Sequence, residues 1–400
     1  MLKLAKRLKS LKPSPTLALD AHIKKLRSTG VDVISFGVGE PDFDTPETIK
    51  KAAIEAIKGG FTKYTPASGT ESLKKAVCQY YSTHYNVKLS TGQIVVSNGA
   101  KHSLFNIALA LFNNNDEVII PAPYWVSYPE QISLVGAKPV FVETKLKDGF
   151  KVSSSLLERY LNKKTKAIIL NTPSNPTGMV YSKDELKDIL SFVKANKLFL
   201  IADEIYDRLV YEKKFVSVLS LLDNLPDVKD YVIVVNGVSK TFAMTGWRIG
   251  YTISNEVIAK AMSDIQSQTT SNPASISQKA AEAALLGGDD DVTAMIKEFR
   301  NRRDLIVSML KDIKGVKLKS PDGSFYVFPD FSHYLNKKFN GIKIQSSLKL
   351  CEYLLSEAKV GVVPGEAFGA PGFVRFSFAT STENIKKGLE RIKSALYKLK

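Results

Sequence analysis

The sequence contains little cysteine and histidine and has no long hydrophobic run. Two cysteines, Cys78 and Cys351, are too few for a disulfide framework or a usual zinc site. The four histidines show no His-x-x-x-His spacing, so we expect no metal site built from protein side chains. No apolar run reaches the roughly 18 residues of a membrane helix, and the basic start of the chain lacks the apolar core of a secretory signal. These features predict a cytoplasmic protein with no membrane partner.

Negative charge is scarce relative to positive charge. The 400 residues include 56 Lys and Arg against 40 Asp and Glu, a net charge of +16. One interpretation is a nucleic-acid or membrane partner. The lysines, however, are spread along the chain and interleaved with acids, and no zinc-finger or aromatic-basic motif occurs. We therefore interpret the excess as a lysine-rich surface and expect no nucleic-acid partner. A basic nucleic-acid-binding protein stays the remote alternative.

The hydrophobic pattern predicts two kinds of structure along the chain. Between about residues 90 and 255, short apolar runs alternate with amphipathic helices, which is typical of an α/β domain with a mostly parallel sheet. A capping box of Ser182 and Glu185 predicts one helix start. Beyond 255, helices mix with short strands and a hairpin over 316–328, which indicates a smaller α+β domain. The strands predicted in the first part are 94–97, 117–121, 138–142, 166–170, 198–202, 231–235 and 248–253.

Three predicted strands end in residues that could carry chemistry. Residues 97–101 suit a phosphate cradle at a helix start, although an ordinary turn has the same pattern. Asp203 could meet a positive ligand group at the carboxyl end of a parallel strand, or it could face water. Lys240 follows a strand among small and hydroxyl residues, with Arg248 eight residues on. Such a lysine is either an amine nucleophile with a lowered pKa or a surface lysine. The residues alone leave these alternatives open.

Eight motifs, in one order from residue 37 to 377, resemble those of class I/II aminotransferases. The longest, SKTFAMTGWRIGY, resembles the lysine motif to which pyridoxal phosphate (PLP) is attached in that family. On these motifs the chain is identified as a member of the PLP-dependent aminotransferases. The motifs are 37–46 (GVGEPDFDTP), 64–69 (YTPASG), 123–129 (PYWVSYP), 171–178 (NTPSNPTG), 203–206 (DEIY), 239–251, 363–365 (VPG) and 374–377 (VRFS).

The resemblance implies a fold and a division of the chain. The fold expected is α/β, fold type I of the PLP-dependent transferases: a large domain with a mostly parallel seven-stranded sheet, and a smaller α+β domain. We expect the large PLP-binding domain to span 48–290. The small domain is expected to be discontinuous, formed by 1–47 and 291–400.

The resemblance also implies roles around the cofactor. Lys240 is expected to hold PLP covalently and then to carry a proton, while Asp203 keeps the pyridine nitrogen protonated. Asn175 and Tyr206 match donors to the phenolic oxygen, and Trp125 matches the ring that stacks on the cofactor. Lys240, Asp203 and Tyr206 are the predicted catalytic residues. The predicted phosphate ligands are Gly99, Ala100, Lys101, Ser239 and Arg248.

Further residues match substrate and subunit contacts of the family. Arg375 matches the bidentate partner of the substrate α-carboxylate, and Gly39 matches a backbone contact to it. Lys101 and Lys12 are candidates for the distal carboxylate, although a helix-start lysine and a solvated terminal lysine are the alternatives. Tyr64 matches a tyrosine that reaches the phosphate from the neighbouring subunit, which implies a homodimer with shared active sites. Trp125 and Asn175 also belong to the expected substrate contacts.

Among aminotransferases, the motifs most resemble the bacterial aspartate aminotransferase subgroup, in which some members also accept prephenate. The expected reaction passes the amino group of L-aspartate to 2-oxoglutarate, giving oxaloacetate and L-glutamate, with prephenate to L-arogenate as an additional reaction. Alanine, aromatic amino acids and kynurenine stay open as alternative substrates. One departure is Gly237, where many relatives carry a hydroxyl three residues before the lysine. The phosphate site would then be completed differently, for example by Ser239.

Overall fold

The computed structural model of the protein describes residues 4–9, 11 and 15–400. Lys12 lies outside these residues, so its role stays a prediction. The α-helices of the described residues are α1 (Pro15–Ser28), α2 (Glu47–Lys58), α3 (Glu71–Tyr85), α4 (Ala100–Leu111), α5 (Ser127–Leu134), α6 (Ser154–Leu157), α7 (Lys183–Asn196), α8 (Glu256–Thr269), α9 (Ser275–Gly287), α10 (Asp289–Lys311), α11 (Ser347–Tyr353) and α12 (Thr382–Tyr397). None of them is long and apolar enough to cross a membrane.

Short strands complete the described part of the chain. Each of the seven strands predicted between 94 and 253 lies within two residues of its observed bounds at either end. The strands are β1 (Ile34–Ser35), β2 (Ile94–Ser97), β3 (Glu117–Ala122), β4 (Lys138–Glu143), β5 (Thr165–Asn171), β6 (Phe199–Asp203), β7 (Val232–Gly237), β8 (Gly250–Ile253), β9 (Tyr326–Val327), β10 (Lys338–Phe339), β11 (Ile342–Lys343), β12 (Val360–Gly361), β13 (Val363–Pro364) and β14 (Val374–Ser377).

A seven-stranded sheet in the order β2-β8-β7-β6-β5-β3-β4 is the largest sheet. Only β8 runs antiparallel to its neighbours β2 and β7, so the predicted α/β fold with a mostly parallel seven-stranded sheet is confirmed. The middle strands are almost wholly buried because helices cover both faces. In β6, Leu200 faces a core shared with α3, α7 and α9, whereas Ile201 faces one shared with α4, α5 and α8.

The predicted capping box at the start of α7 is confirmed. Ser182 accepts a hydrogen bond from the Glu185 N–H, and the Glu185 carboxylate accepts one from the Ser182 N–H at 2.6 Å. The helix therefore begins where the sequence indicates.

The predicted hairpin over 316–328 is wrong in its pairing. Tyr326 and Val327 pair with β14 in a three-stranded antiparallel sheet, β13-β14-β9, and only a single bridge joins Lys317 to Asp330. The turn residues Asp322 and Gly323 both donate to the carbonyl oxygen of Gly178 at 2.9 Å. The turn is thus bound to the loop that follows β5, and the two arms of the predicted hairpin do not pair along their length.

The N-terminal segment joins the C-terminal part of the chain. Residues of β1 pair in parallel with β12, and α10 packs against α12. A separate aromatic and aliphatic core, with Phe36, Phe299 and Phe376 fully buried, lies under these elements. The discontinuous small domain, with boundaries at 47 and 291, agrees with this pairing but stays a prediction.

Candidate active site

Most of the predicted site residues line one cavity at the carboxyl ends of β5, β6 and β7, where ligands bind in open parallel sheets. Its volume is about 570 Å³. Because the residues come from strand ends, loops and β14, folding is what brings them together. The predicted residues that line it are Gly39, Ala100, Lys101, Trp125, Asn175, Asp203, Tyr206, Ser239, Lys240, Arg248 and Arg375.

Asp203 ends β6 and is 4% exposed. Its carboxylate accepts a hydrogen bond from the Tyr128 hydroxyl at 2.5 Å and one from the Ile205 N–H at 3.3 Å. Burial raises the pKa of Asp203 to about 6, although the bond from Tyr128 opposes this. A carboxylate held this far from water is stabilised by a positive ligand group beside it.

Lys240 follows β7, and its Nζ donates to the carbonyl oxygen of Gly39 at 2.7 Å. Burial lowers the pKa of Lys240 to about 8; the negative charge of Glu40 opposes the shift and the positive charge of Arg248 adds to it. The amine therefore has a substantial neutral fraction near neutral pH. A neutral amine is the form that attacks a carbonyl carbon.

Arg375 lies in β14 and is 3% exposed. Its Nη1 donates to Asn175 Oδ1 at 3.0 Å and its Nη2 to the Gly37 carbonyl oxygen at 2.8 Å, and its guanidinium lies over the Tyr326 and Phe368 rings. Its Nε is buried and has no partner among the described residues. Burial lowers the pKa of Arg375. A buried, charged guanidinium with an unused donor suits a carboxylate ligand.

The start of α4 forms an anion cradle with Arg248. Gly99 precedes the helix with φ +85° and offers no side-chain cap, so the Ala100 and Lys101 N–H groups can meet a ligand, whereas the His102 N–H donates to the Gly99 carbonyl oxygen at 2.9 Å. A Cβ at Gly99 would lie 2.4 Å from Arg248 Nη2. Arg248 is anchored from its Nη1 to the Thr245 carbonyl oxygen at 2.9 Å. Helix and guanidinium together fit a phosphate.

Close packing explains the glycine at 237. A Cβ there would lie 2.8 Å from the Gly250 Cα, and a Cβ at Gly250 would lie 2.2 Å from the Ala100 nitrogen. A hydroxyl side chain at 237 therefore has no room. Ser239 lines the cavity instead, and its expected contact with phosphate stays a prediction.

Lys101 and Trp125 form one wall of the cavity. Lys101 Nζ lies 5.0 Å from the centroid of the Trp125 ring, and that ring packs edge-on against Tyr128 at 5.4 Å. Burial lowers the pKa of Lys101, and the charge of Arg248 adds to the shift. The wall thus joins a flat apolar ring to a cation.

Tyr64 is a predicted site residue that does not lie at the cavity of its own chain. It is 91% exposed and does not line the cavity. An exposed tyrosine of this kind fits the expected contact with a second subunit, which stays a prediction.

The sequence reasoning missed two tyrosines. Tyr128 donates a hydrogen bond to Asp203. It belongs to the 123–129 motif, so that motif was the sequence signal that could have identified it. Tyr326 lies with its hydroxyl 3.2 Å from that of Tyr206 and its ring under Arg375. Because it sits in the segment mistaken for a hairpin, no sequence signal pointed to the cavity.

The fold and the cavity define a PLP-type aminotransferase architecture, and comparison with known proteins agrees. Residues 31–392 match the family "Aminotransferase class I and II". The chain is 46% identical over 396 residues to a probable aspartate/prephenate aminotransferase of Aquifex aeolicus, covering 98% of each chain. The Rhizobium meliloti aspartate aminotransferase structure is similar with TM-score 0.96 at 40% identity, covering all of both chains. The Thermus thermophilus aspartate aminotransferase with maleate has TM-score 0.92 at 38% identity, covering 99% and 100%.

The chain therefore belongs to the class I and II aminotransferases. Members of this family act on amino acids and 2-oxo acids and generally depend on PLP. An enzyme of this class replaces the nucleic-acid-binding alternative that the positive charge raised.

Proposed function

We propose that this protein is an aspartate aminotransferase that uses PLP and passes the amino group of L-aspartate to 2-oxoglutarate. The observation that carries the proposal is the convergence of Lys240, Asp203 and Arg375 on one cavity, with the buried Nε of Arg375 unpartnered. Each of the three presents the group that a different part of the reaction requires. The names of the relatives support aspartate as the amino donor.

The residues present fit PLP. Lys240 would hold it covalently, Asp203 would accept a hydrogen bond from its ring nitrogen, and the start of α4 with Arg248 would bind its phosphate. The uncapped helix start and the raised pKa of Asp203 are the observations that support the fit, because both favour an oppositely charged ligand group. When bound, PLP supplies the electron sink for amino transfer.

The chain's own residues would perform the remaining tasks. The Lys240 amine, freed after substrate binds, moves a proton from the substrate Cα, since its pKa of about 8 lets it accept and release a proton near neutral pH. Arg375 orients the α-carboxylate through its guanidinium edge. Trp125 and Tyr206 line the cavity with aromatic rings, which would limit the access of water.

A second carboxylate on the substrate would meet Lys101. Its Nζ lies at the cavity wall over Trp125. Lys101 belongs to α4, whereas Arg375 belongs to β14. The Thermus structure named with maleate, a dicarboxylate, supports a distal anion site. We propose prephenate as a second amino acceptor, supported by the Aquifex relative's name. We propose that Lys12 also contributes to binding of the distal carboxylate.

We also propose a homodimer in which Tyr64 completes the phosphate site of its neighbour. Its 91% exposure and the resemblance of its motif support this arrangement. The cytoplasmic location expected from the sequence stays a prediction.

The decisive test is a panel of half-reactions with aspartate, prephenate's product L-arogenate, alanine, phenylalanine and kynurenine. Lys240→Ala should abolish transfer and the visible band that borohydride bleaches. Lys101→Met should slow aspartate by about 10- to 100-fold while barely affecting alanine, since a charged hydrogen bond contributes about 1.5–3 kcal/mol. Lys166→Met is the matched control, because Lys166 also lies over an aromatic ring, that of Phe199, but does not line the cavity. Transfer by Lys240→Ala, or equal losses with aspartate and alanine, would contradict the proposal.

A further inference from the structure

Asp207 is a buried carboxylate that lies outside the cavity and has no part in the roles given above. It is 1% exposed. Five donors surround it. They are the hydroxyls of Tyr80 at 2.7 Å, Tyr85 at 2.7 Å and Thr241 at 3.1 Å, the side-chain amide of Asn236 at 2.9 Å and the backbone N–H of Arg208 at 2.9 Å.

Two of these donors flank Lys240. Thr241 follows Lys240 and donates to Asp207 Oδ1. Asn236 is the last but one residue of β7, four residues before the lysine, and donates to Oδ2. The Asn236 side chain is fixed in turn, since its Oδ1 accepts from the Gly237 N–H at 2.7 Å. One carboxylate therefore holds the segment 236–241 before and after the lysine.

Asp207 also belongs to the loop that carries the other cofactor contacts. It follows Tyr206 directly and Asp203 by four residues. Its own N–H donates to the Glu204 carbonyl oxygen at 2.9 Å, and the Glu204 N–H donates to the Val235 carbonyl oxygen at 2.8 Å. The distance between the lysine segment and the 203–206 loop is thus fixed through side chains and backbone together.

The donor set requires an acid. An ionised carboxylate only accepts hydrogen bonds, whereas an amide of the same shape would turn an NH₂ group towards either the Arg208 N–H or the Asn236 NH₂ group, neither of which can accept. Of the three remaining donors, Tyr80 and Tyr85 on α3 donate to Oδ2, and the Arg208 N–H donates to Oδ1. Both tyrosines belong to α3, outside the lysine segment.

We propose that Asp207 is a positioning residue for Lys240, acting through Thr241 and Asn236 to keep the amine in its buried place opposite Asp203. The inference rests on the proposed function, because Lys240 must be the reacting amine. Displacement of the amine by a fraction of an ångström would misalign its proton transfer, to which reaction rates are sensitive.

The test compares two variants that each remove one hydrogen bond to Asp207. Thr241→Val removes the bond beside the lysine; Tyr85→Phe removes one that comes from α3 and is the matched control. Both should lower the melting temperature by a similar amount. We expect Thr241→Val to reduce kcat for the aspartate half-reaction about 5- to 10-fold and Tyr85→Phe less than about 2-fold. Thr241→Ser keeps the hydroxyl and should retain the wild-type rate.

A second readout does not depend on turnover. In the full chain without cofactor, the pH dependence of acylation of Lys240, followed by mass spectrometry, reports the apparent pKa of its amine. Thr241→Val should raise that pKa by about half a unit or more, because a less fixed amine is better solvated. Tyr85→Phe and Thr241→Ser should not.

The outcomes separate the two proposals. If the wild-type protein does not transaminate aspartate, the proposed function fails, while the acylation profile still tests the positioning. If Thr241→Val matches Tyr85→Phe in both rate and acylation profile, Asp207 does not position Lys240 and the inference is overturned.

Discussion

Replacement of Asp203 by asparagine should make the cofactor-free protein more stable as the pH rises, relative to the wild type. The folded protein holds this carboxyl at a pKa of about 6, against an ordinary value of 3.8. The unfolded chain therefore releases the proton at lower pH than the folded one. Between pH 4 and 6, ionisation favours the unfolded state, so the wild type loses stability that the asparagine variant keeps.

The size of the effect follows from the pKa difference. Linkage gives a cost of about 1.5 kcal/mol at pH 5 and about 3 kcal/mol at pH 8 for the buried carboxylate. The hydrogen bonds that asparagine makes less well with Tyr128 and Ile205 change the offset but not the pH dependence. For a chain of 400 residues, with an unfolding entropy of about 2.1 cal/mol/K per residue, the 1.5 kcal/mol difference corresponds to about 2 °C in melting temperature.

Thermal scans of both proteins without cofactor at pH 5 to 8 provide the assay. The melting temperature of Asp203→Asn minus that of the wild type should rise by about 2 °C across this range. Asp230→Asn, at an exposed position, is the control and should leave the difference flat. Added PLP should stabilise the wild type more than the variant. A pH-independent difference for Asp203→Asn would refute the reasoning that burial dominates this site.

Two further predictions concern substrate binding and the subunit contact. Arg375→Lys should lower kcat/KM for aspartate by about 100-fold or more, because an ammonium cannot bond Asn175 and Gly37 and also present a planar edge to a carboxylate; a loss below about 5-fold in steady-state assays would argue against that role. Tyr64→Ala and Lys240→Ala proteins, each inactive, should recover about a quarter of wild-type activity when unfolded and refolded as an equal mixture, since half of the dimers then contain one intact site. No recovery would oppose the shared site.

The strands of the large sheet were predictable because their apolar runs are nearly unbroken, and three of them, β5, β6 and β7, end in Asn171, Asp203 and Gly237. The structure of the 316–328 segment was not predictable in this way. Its turn is bound to Gly178, more than 140 residues earlier in the chain. Local sequence contains no information about such a contact. The same limit applies to Tyr326, whose neighbours in the cavity come from other elements.

The site also contains features that the sequence predicts and features that it does not. The position of Asp203 at a strand end follows from the alternation of strands and helices, but its alternatives stayed open until the motifs were considered together. The pairing of Arg375 with Asn175, 200 residues apart, is a tertiary fact. The network around Asp207 joins a helix, a loop and two strand ends, and no spacing in the sequence indicates it.

The close contact between Gly237 and Gly250 sets the spacing between β7, β8 and the start of α4. Because neither residue has a side chain, β7 and β8 lie close together and the first turn of α4 rests directly on Gly250. That packing sets how far the start of α4 lies from Lys240, which follows three residues after the end of β7. Two residues without side chains, neither of which lines the cavity, therefore help to set its dimensions.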